Sequence, residues 1–298
     1  AIIRGLVGSE MCIRDSKGVE AILNVIPVQS RDFTWDVTAS FSLLRSEVIS
    51  IADGIDQIYV GGYVGRGNIA IPGLPYGILE GELIRRDYGS LDGTDHTQVH
   101  WDDRTGYTPI VNANGGYQFL GYGVIGNPQP DYVYGVTNTL SYKWATLRVQ
   151  FDSQVGGDVF STTNSTLLGR GILQETDFDR FVPVVTNGLS ADGTPNTTQT
   201  TANAHYWPNT GVFYDENSIY DASVMRLREV SLSFVAPKSF LNGTPFGNAS
   251  LTLSAQNIWH YAWNTPSGTN FDPEVISYGA GSYISHKYLS RIRVVPYK

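Results

Sequence analysis

The chain has 298 residues, of which 16% are charged, and its formal net charge is −8 with a single cysteine. One cysteine excludes an internal disulfide framework, and the acidic balance excludes a generally cationic surface, so we do not expect nucleic acid as a partner. The low charge content, together with 32 glycines and 18 tyrosines, favours an all-β fold with many turns.

Residues 1–15 differ from the rest of the sequence. Their apolar stretch is interrupted by Arg4 and is too short for a secretory signal, and the only cysteine, Cys12, lies here. The segment resembles translated sequencing-adaptor peptide. We therefore expect it to be foreign to the natural protein, with the natural sequence starting near Ser16; the alternative is a native, disordered N-terminus.

Alternation of apolar and polar residues predicts β-strands along most of the chain. Regular strands are predicted at 33–43, 146–152, 230–234, 250–256 and 288–294, and less regular ones at 19–25, 76–84 and 133–143. Strands of about 9 to 14 residues are predicted, against ~5 to 6 for an average globular strand. Their second face is polar and in places charged, so it cannot form a dry core.

The connections between the predicted strands are of two kinds. Short turns are predicted at 29–32 and around Trp144, whereas roughly 87–130, 157–220 and 260–285 are long connections. Strand directions counted back from the C-terminus place every long connection on one side of the sheet and the short turns on the other. This asymmetry is typical of an outer-membrane barrel, although alternation alone fits a β-sandwich equally well.

Four aromatic residues are candidates for ligand contact. Trp259, Tyr261 and Trp263 lie where a strand enters a long loop, and Trp207 lies in the longest loop. A ligand role is considered because sugar rings stack on flat aromatic faces. Anchoring at a membrane interface, or packing within a loop, would also account for aromatic residues at these positions, because tyrosine and tryptophan join an apolar ring to a polar group. The sequence leaves both interpretations open.

Residues 90–103 form an acidic loop. Its candidate metal ligands are Asp92, Asp95, His96, His100, Asp102 and Asp103. The spacing does not match an EF-hand, so we interpret the loop as solvated and predict no metal. The sequence has no phosphate loop or nucleophile elbow, and no motif selects a carboxylate pair. We therefore predict no catalytic residues, no cofactor and no enzymatic activity.

Eight segments in order from Ser16 onward resemble the C-terminal barrel of SusC/RagA-type TonB-dependent transporters. They are SKGVE (16–20), DFTWDVTASFSLLRSEV (32–48), PYGILEG (75–81), IGNPQPDYVYGVTNTLSYKW (125–144), FDSQVGGDVFS (151–161), YDASVMRLREVSLSF (220–234), SAQNIW (254–259) and FDPE (271–274). Within them, Asp221, Arg226 and Arg228 place charge near the start of a strand, where we expect the lumen or the outer rim.

The resemblance implies a fold and a location. The fold would be all-β: the C-terminal part of a transmembrane antiparallel barrel, with about eight to ten strands of a plugged barrel of ~22. Residues 16–298 would form this partial barrel as a curved open sheet, and the plug domain would lie outside the present sequence. The location would be the outer membrane of a Gram-negative bacterium, in contact with its lipid.

The resemblance also implies an activity. The implied function is TonB-energised import of oligosaccharides, or of peptides. The implied partners are a SusD-like surface lipoprotein, for which the longest loop offers a contact, and the TonB complex, which would act through an N-terminal region outside this sequence. The alternatives are a soluble extracellular carbohydrate-binding β-sandwich and a passive porin, whose strands would alternate in the same way.

Overall fold

The computed structural model describes residues 12–89, 100–209, 214–265, 271–274 and 291–296. The strands within them, in chain order, are β1 (Cys12–Gln29), β2 (Phe33–Ile51), β3 (Ile58–Tyr63), β4 (Arg66–Ala70), β5 (Ile78–Ile84), β6 (Arg86–Asp87), β7 (Thr108–Pro109), β8 (Phe119–Gly126), β9 (Tyr132–Tyr142), β10 (Ala145–Val155), β11 (Asp158–Phe160), β12 (Val184–Val185), β13 (Gln199–Thr200), β14 (Ile219–Asp221), β15 (Val224–Val235), β16 (Ser250–Tyr261) and β17 (Arg291–Pro296). The helices are α1 (Thr162–Gly169), α2 (Ala202–Asn209) and α3 (Lys238–Leu241), and 3₁₀ turns span Trp101–Gly106, Gln174–Thr176 and Asp215–Ser218. No helix in these ranges is both long and apolar enough to cross a membrane.

Seven strands form one antiparallel sheet, which we call the wall sheet. Their order is β1-β2-β9-β10-β15-β16-β17. Directly paired residues share a face of the sheet, and the register aligns apolar residues with one another: Val37 pairs with Val25, and Leu232 pairs with both Leu147 and Leu253. The apolar residues consequently collect on one face, and serine, threonine and charged residues collect on the other.

Short connections join the wall strands at one end, which we call the short-loop rim. Residues 30–32 join β1 to β2, and Lys143 and Trp144 join β9 to β10. Lys143 has a φ of 52°, the left-handed conformation that suits so short a turn. Its amide donates to the Asp32 carbonyl at 2.8 Å, and the Val235 amide donates to the Trp144 carbonyl at 2.8 Å. These bonds link neighbouring turns along the rim.

The long connections leave the opposite end, the long-loop rim, and fold together into what we call the loop layer. It comprises the described parts of 52–131, 156–223 and 262–274. Its framework is a four-stranded sheet in the order β3-β4-β5-β8, with the two-stranded pairs β6-β7, β11-β14 and β12-β13. The predicted separation of short and long connections is confirmed, and the described parts of the long connections contain folded structure of their own.

One strand predicted from the sequence lies in the loop layer instead of the wall. The strand predicted at 76–84 is β5, which pairs with β4 and β8, while β2 pairs directly with β9. Ile78, Leu79 and Leu83 fall on both faces of β5 and are all buried, whereas a wall strand would expose one face to lipid. The wall sheet therefore has seven strands among the described residues, fewer than the about eight to ten predicted.

The apolar core lies mainly in the loop layer, although Val48 of β2 and Val224 of β15 are also fully buried. One of its clusters joins Leu79, Leu83 and Ile125. On the apolar face of the wall sheet, by contrast, Leu23 is 61% exposed and Leu253 is 41% exposed. No second sheet covers this face among the described residues, as a β-sandwich would require. The all-β class and the open antiparallel sheet are confirmed, and the uncovered apolar face suits lipid.

Strand β1 begins within the segment interpreted as foreign. In the ladder with β2, Cys12 pairs with Ile51 and Asp15 pairs with Glu47. The pairing shows that residues 12–15 extend β1. It does not bear on their origin, so the boundary near residue 16 stays a prediction.

Gly81 offers a test of the packing between β5 and the 3₁₀ turn Asp215–Ser218. A Cβ at this position would lie 2.5 Å from Ile125 Cδ1 and 2.6 Å from Asp215 Cβ, so Gly81→Ala overpacks a buried contact. We expect a loss of about 1 to 3 kcal/mol in stability and a lower thermal midpoint of the detergent-purified protein. Gly106→Ala is the matched control, because nothing lies within 4 Å of the Cβ that it adds. Equal midpoints for the two variants would contradict the packing.

Candidate functional site

The polar face of the wall sheet carries an ionic cluster at the long-loop rim, which we call the rim cluster. Its members are Asp152 on β10, Arg226 and Arg228 at the start of β15, and Asp272 and Glu274 in the loop after β16. Arg226 is 4% exposed, with Nη1 3.1 Å from Asp152 Oδ2 and Nη2 2.8 Å from Asp272 Oδ1. Arg228 Nε donates to Asp152 Oδ1, and its Nη1 lies 2.6 Å from Glu274 Oε2. Two guanidinium groups therefore face three carboxylates.

A β-bulge at Arg228 keeps the apolar residues of β15 on one face of the sheet along the whole strand. In the ladder with β10, Leu227 and Glu229 have direct partners and Arg228 is the extra residue between them. Because the bulge adds one residue, Leu227 and Val230 share the apolar face although they are three positions apart. Asn257 of β16, with a φ of 50°, lies beside the bulge and accepts a hydrogen bond from Arg228 Nη1 at 3.3 Å. The bulge thus determines where the Arg228 side chain points within the rim cluster.

The loop segment 271–274 is attached to the rim in two ways. Phe271 is 1% exposed and packs into an apolar cluster of the loop layer, and Asp272 enters the rim cluster. A buried guanidinium is tolerated when its charge is paired and hydrogen-bonded, and the loop supplies part of what Arg226 needs. The rim cluster therefore ties the loop after β16 to the wall. The FDPE motif shows that the segment is distinctive, but the sequence assigned it no such role.

A groove of about 420 Å³ lies on the polar face beside the rim cluster. Its lining includes Glu20, Ser42, Gln150 and Gln154, together with Asp152, Arg226, Arg228 and Glu274 of the cluster. These groups donate and accept hydrogen bonds and carry charges of both signs. Ile22 and Val133 also line the groove, so it offers apolar contact as well as hydrogen bonds to a solute.

A second set of ion pairs lies inside the loop layer. The side chain of Asp215 is fully buried; its Oδ1 lies 2.6 Å from Arg66 Nη2, and its Oδ2 accepts the Glu82 amide at 3.1 Å. Glu216 pairs with Arg86 at 2.8 Å. Burial raises the pKa of both carboxyls, and their arginine partners oppose that rise. Arg66 joins the four-stranded sheet, and Arg86 joins the β6-β7 pair, to the 3₁₀ turn that starts at Asp215. Nothing in the sequence pattern had singled these residues out.

Asp158 on β11 titrates far from its ordinary range. Burial raises its pKa to about 6, although the Asn127 amide, which donates to Oδ2 at 2.7 Å, opposes the rise. Repulsion from the carboxylates of Asp102, Asp221 and Asp131 adds to the effect. Mild acid therefore changes the charge of the Asp158 carboxyl.

Two of the predicted ligand-contact residues lie on the apolar face of the wall sheet. Trp259 pairs with Leu227 and Tyr261 pairs with Met225, and the two rings are stacked with their centroids 6.3 Å apart. Because this face is opposite the rim cluster, their placement favours the interface-anchoring interpretation.

The other two predicted ligand-contact residues lie in the loop layer. Trp207 is in α2, where the Arg170 guanidinium lies 5.5 Å from its ring centroid. Trp263 follows β16 and is 39% exposed. The structure therefore brings Trp259 and Tyr261 together on the wall sheet and places Trp207 in a helix of the loop layer. A ligand role for any of them stays a prediction.

The acidic loop predicted at 90–103 is only partly described. The candidate ligands that lie outside the described residues are Asp92, Asp95 and His96. At the end of the loop, His100 Nδ1 lies 3.6 Å from Asp102 Oδ2, and both side chains are about half exposed or more. Among the described residues, no group of three or more His, Cys, Asp or Glu side chains could hold a metal ion.

Asp272→Asn tests the attachment of the loop to the wall. The variant removes one of the carboxylates that pair with Arg226. Loss of the sole partner of a buried charge costs about 3 to 5 kcal/mol, and we expect a smaller loss here because Asp152 still pairs with Arg226. We expect a lower thermal midpoint and faster hydrogen exchange in 271–274. Asp192→Asn is the control, because Asp192 is an exposed carboxylate that accepts from Thr194. Unchanged exchange in Asp272→Asn would show that the rim cluster does not hold the loop.

Asp158 predicts a dependence of stability on pH. Because its pKa is raised in the folded protein to about 6, the folded state keeps a proton that the unfolded state releases from about pH 4 upward. Relative to the ionised form, protonated Asp158 stabilises the folded state fully below about pH 4, and this contribution is lost as the pH rises through about 6. We therefore expect Asp158→Asn to gain thermal midpoint relative to the wild type between about pH 5 and pH 7.5. Asp192→Asn should show no such gain, because the hydrogen bonds from Thr194 lower the pKa of Asp192. A constant difference between Asp158→Asn and the wild type would contradict the assignment.

Two curated proteins are similar to this chain in sequence, whereas no protein-family model matches it. TonB-dependent receptor P3 of Formosa agariphila is 25% identical over 267 residues, which cover 82% of this chain and 24% of that protein. TonB-dependent receptor P26 of the same organism is 25% identical over 288 residues, which cover 90% of this chain and 28% of that protein. The chain thus spans about a quarter of the length of these relatives.

Solved structures share the fold. The RagAB peptide transporter matches with a TM-score of 0.51 at 18% identity, over 88% of this chain and 27% of that one. The RagAB peptide importer in its open-open state matches with a TM-score of 0.57 at 17% identity, over 92% of this chain and 28% of that one. Sequence and fold agree with the eight ordered segments and with the two-faced wall strands. The comparisons therefore confirm the predicted resemblance of this chain to part of the barrel of SusC/RagA-type TonB-dependent transporters.

Proposed function

We propose that this chain forms part of the wall and outer layer of a transporter that imports oligosaccharides or peptides, with energy delivered through TonB. The observation that carries the proposal is the division of the wall sheet into two faces. One face is apolar and uncovered, and the other is polar and ends in the rim cluster beneath the folded loop layer. The first suits lipid and the second suits a polar solute.

The relatives support the energy source and one of the two substrate classes. Both sequence relatives are named TonB-dependent receptors, which supports coupling to TonB. The structural neighbours are a peptide transporter and a peptide importer, which supports peptides as substrates. The polar groove beside the rim cluster would accept a peptide backbone or sugar hydroxyls, since both donate and accept hydrogen bonds. We keep both substrate classes in the proposal.

The partners in this proposal are a SusD-like surface lipoprotein above the loop layer and the TonB complex, which would act through a plug region. The connection between β11 and β14 presents several apolar side chains outward: Phe181 is 96% exposed, and Ile172 and Val182 are more than half exposed. Apolar side chains grouped on a polar surface are typical of a protein contact. We assign the exposed part of this connection from Ile172 to Val182 to the lipoprotein, while Trp207, further along the same connection, and Trp263 stay candidates for contact with substrate.

Dependence of uptake on TonB tests the proposal. In cells that carry the complete transporter, we expect uptake of its labelled oligosaccharide or peptide substrate to fall to background when TonB is deleted or the proton gradient is collapsed. A small solute that enters through general porins serves as the control and should be unaffected. Uptake that continues without TonB would instead identify the chain as part of a passive porin.

A further inference from the structure

An apolar groove lies at the short-loop rim, at the opposite end of the wall sheet from the rim cluster. We call it the α3 groove, because α3 and the connection around it, residues 236–249, meet the ends of β15 and β16 and the turn at Trp144 there. Its volume of about 380 Å³ is within the range of small-ligand pockets, ~300 to 1,000 Å³. Ser250 is the one polar residue among the described residues that line it. The α3 groove therefore offers apolar contact and almost no side-chain hydrogen bonds.

The α3 groove opens on the apolar face of the wall sheet. Phe234 pairs with both Ala145 and Leu251, so these three side chains share one face. Leu232, two residues earlier on β15, lies on the same face. The rings of Trp144 and Phe234 have their centroids 5.6 Å apart, which places the tryptophan on this side of the rim. The α3 groove is therefore continuous with the uncovered surface that suits lipid.

The connection that carries α3 is fixed by backbone hydrogen bonds and leaves an aromatic ring exposed. The Val235 amide donates to the Trp144 carbonyl at 2.8 Å, and the Ala236 amide donates to the Ala249 carbonyl at 2.9 Å. Phe240, which lines the α3 groove, is nevertheless 78% exposed. A phenylalanine left in water forgoes the free energy of its burial, and an acyl chain in the groove would restore it.

Two lysines lie beside the α3 groove. Lys143 forms the turn between β9 and β10, and its Nζ is 5.3 Å from the centroid of the Tyr142 ring. Lys238 is the first residue of α3, and the connection 236–249 contains no other charged residue. Lysine lays its alkyl stem along apolar surface and keeps its ammonium group in water. The rim consequently carries positive charge at the level where a lipid headgroup lies.

An anionic phospholipid matches both features of this site. Its acyl chain is apolar, and its phosphate forms charge-assisted hydrogen bonds with ammonium groups. The short turns of outer-membrane barrels face the periplasm, so this end of the wall would meet the phospholipids of the periplasmic leaflet. A zwitterionic phospholipid brings an ammonium group of its own, which the lysines repel. A free phosphate ion has no apolar part to place in the groove.

We propose that the α3 groove binds one anionic phospholipid of the periplasmic leaflet, with an acyl chain against Trp144 and Phe240 and the phosphate against Lys143 and Lys238. The hydrogen bond from Val235 to the Trp144 carbonyl holds the two lysines on neighbouring connections. The inference rests on the proposed placement of the wall in the outer membrane. It goes beyond general contact with lipid, because it assigns one headgroup class to one position on the rim.

Native mass spectrometry of the complete transporter, purified in a nonionic detergent, tests the proposal. The protein is titrated with phosphatidylglycerol or with phosphatidylethanolamine of the same chain length. We expect phosphatidylglycerol to bind more tightly, and Lys143→Gln and Lys238→Gln each to weaken its binding about fivefold, as one lysine contributes near anionic lipid. Lys17→Gln is the matched control, because Lys17 is an exposed lysine of β1 near the other end of the wall.

Phe240→Ala tests the acyl-chain contact separately from the headgroup contact. We expect it to weaken the binding of phosphatidylglycerol by about tenfold, because a large apolar contact is lost. Phe119→Ala is its control, since Phe119 is a half-exposed phenylalanine of the loop layer outside the α3 groove. Inorganic phosphate serves as the probe for the anion alone, and we expect it not to displace the lipid.

The proposal is overturned if the two lipids bind equally, if the groove variants bind as the two controls do, or if inorganic phosphate displaces phosphatidylglycerol. It is also overturned if a second protein chain occupies the α3 groove and excludes the lipid. The thermal midpoint shows whether each variant is folded, and the lysine variants keep the test valid if Phe240→Ala is unstable. Titration with lipid needs neither TonB nor a transported substrate, so its failure is distinct from a failure of TonB-dependent uptake.

Discussion

Every strand of the wall sheet has one apolar and one polar face, and this constraint determines where the rest of the protein can be stable. The apolar face is not covered by protein in the described structure, so the sheet has no conventional core of its own. Most buried apolar side chains are found in the loop layer, where β5 is covered on both sides. The wall therefore relies on its backbone ladders and its surroundings, and the loop layer relies on burial.

The rim cluster connects these two regions. Arg226 belongs to the wall by its backbone, whereas Asp272, which pairs with it, belongs to the loop layer. Buried charge of this kind contributes little net stability compared with apolar packing, but it is costly to leave one partner alone. The pairing consequently specifies where the loop after β16 attaches. Inside the loop layer, Asp215 and Arg66 act in the same way between the four-stranded sheet and the 3₁₀ turn.

Much of the wall could be predicted from the sequence because its signal is local. Alternation in 33–43 and 250–256 reports directly on which face each side chain occupies, and connection lengths report on the two rims. The strand predicted at 76–84 is confirmed as β5, but the sequence pattern assigned it no pairing partner. Two-sided burial of a strand and one-sided contact with lipid both begin with a run of apolar residues, and local pattern does not tell them apart. Only the pairing of β2 with β9 shows that the intervening chain lies outside the wall.

The candidate site was predictable to a smaller extent. The sequence by itself determined the all-β class, the two-faced strands, the separation of short from long connections and the position of Arg226 and Arg228 near a strand start. Tertiary structure alone decided that Asp272 meets Arg226 across 46 positions of sequence, that Trp259 and Tyr261 lie on the apolar face, and that Trp144 and Phe240 line one groove. The physical reason is range: alternation is set by neighbours two residues apart, whereas ion pairs and cavities join side chains whose proximity depends on how distant segments fold together.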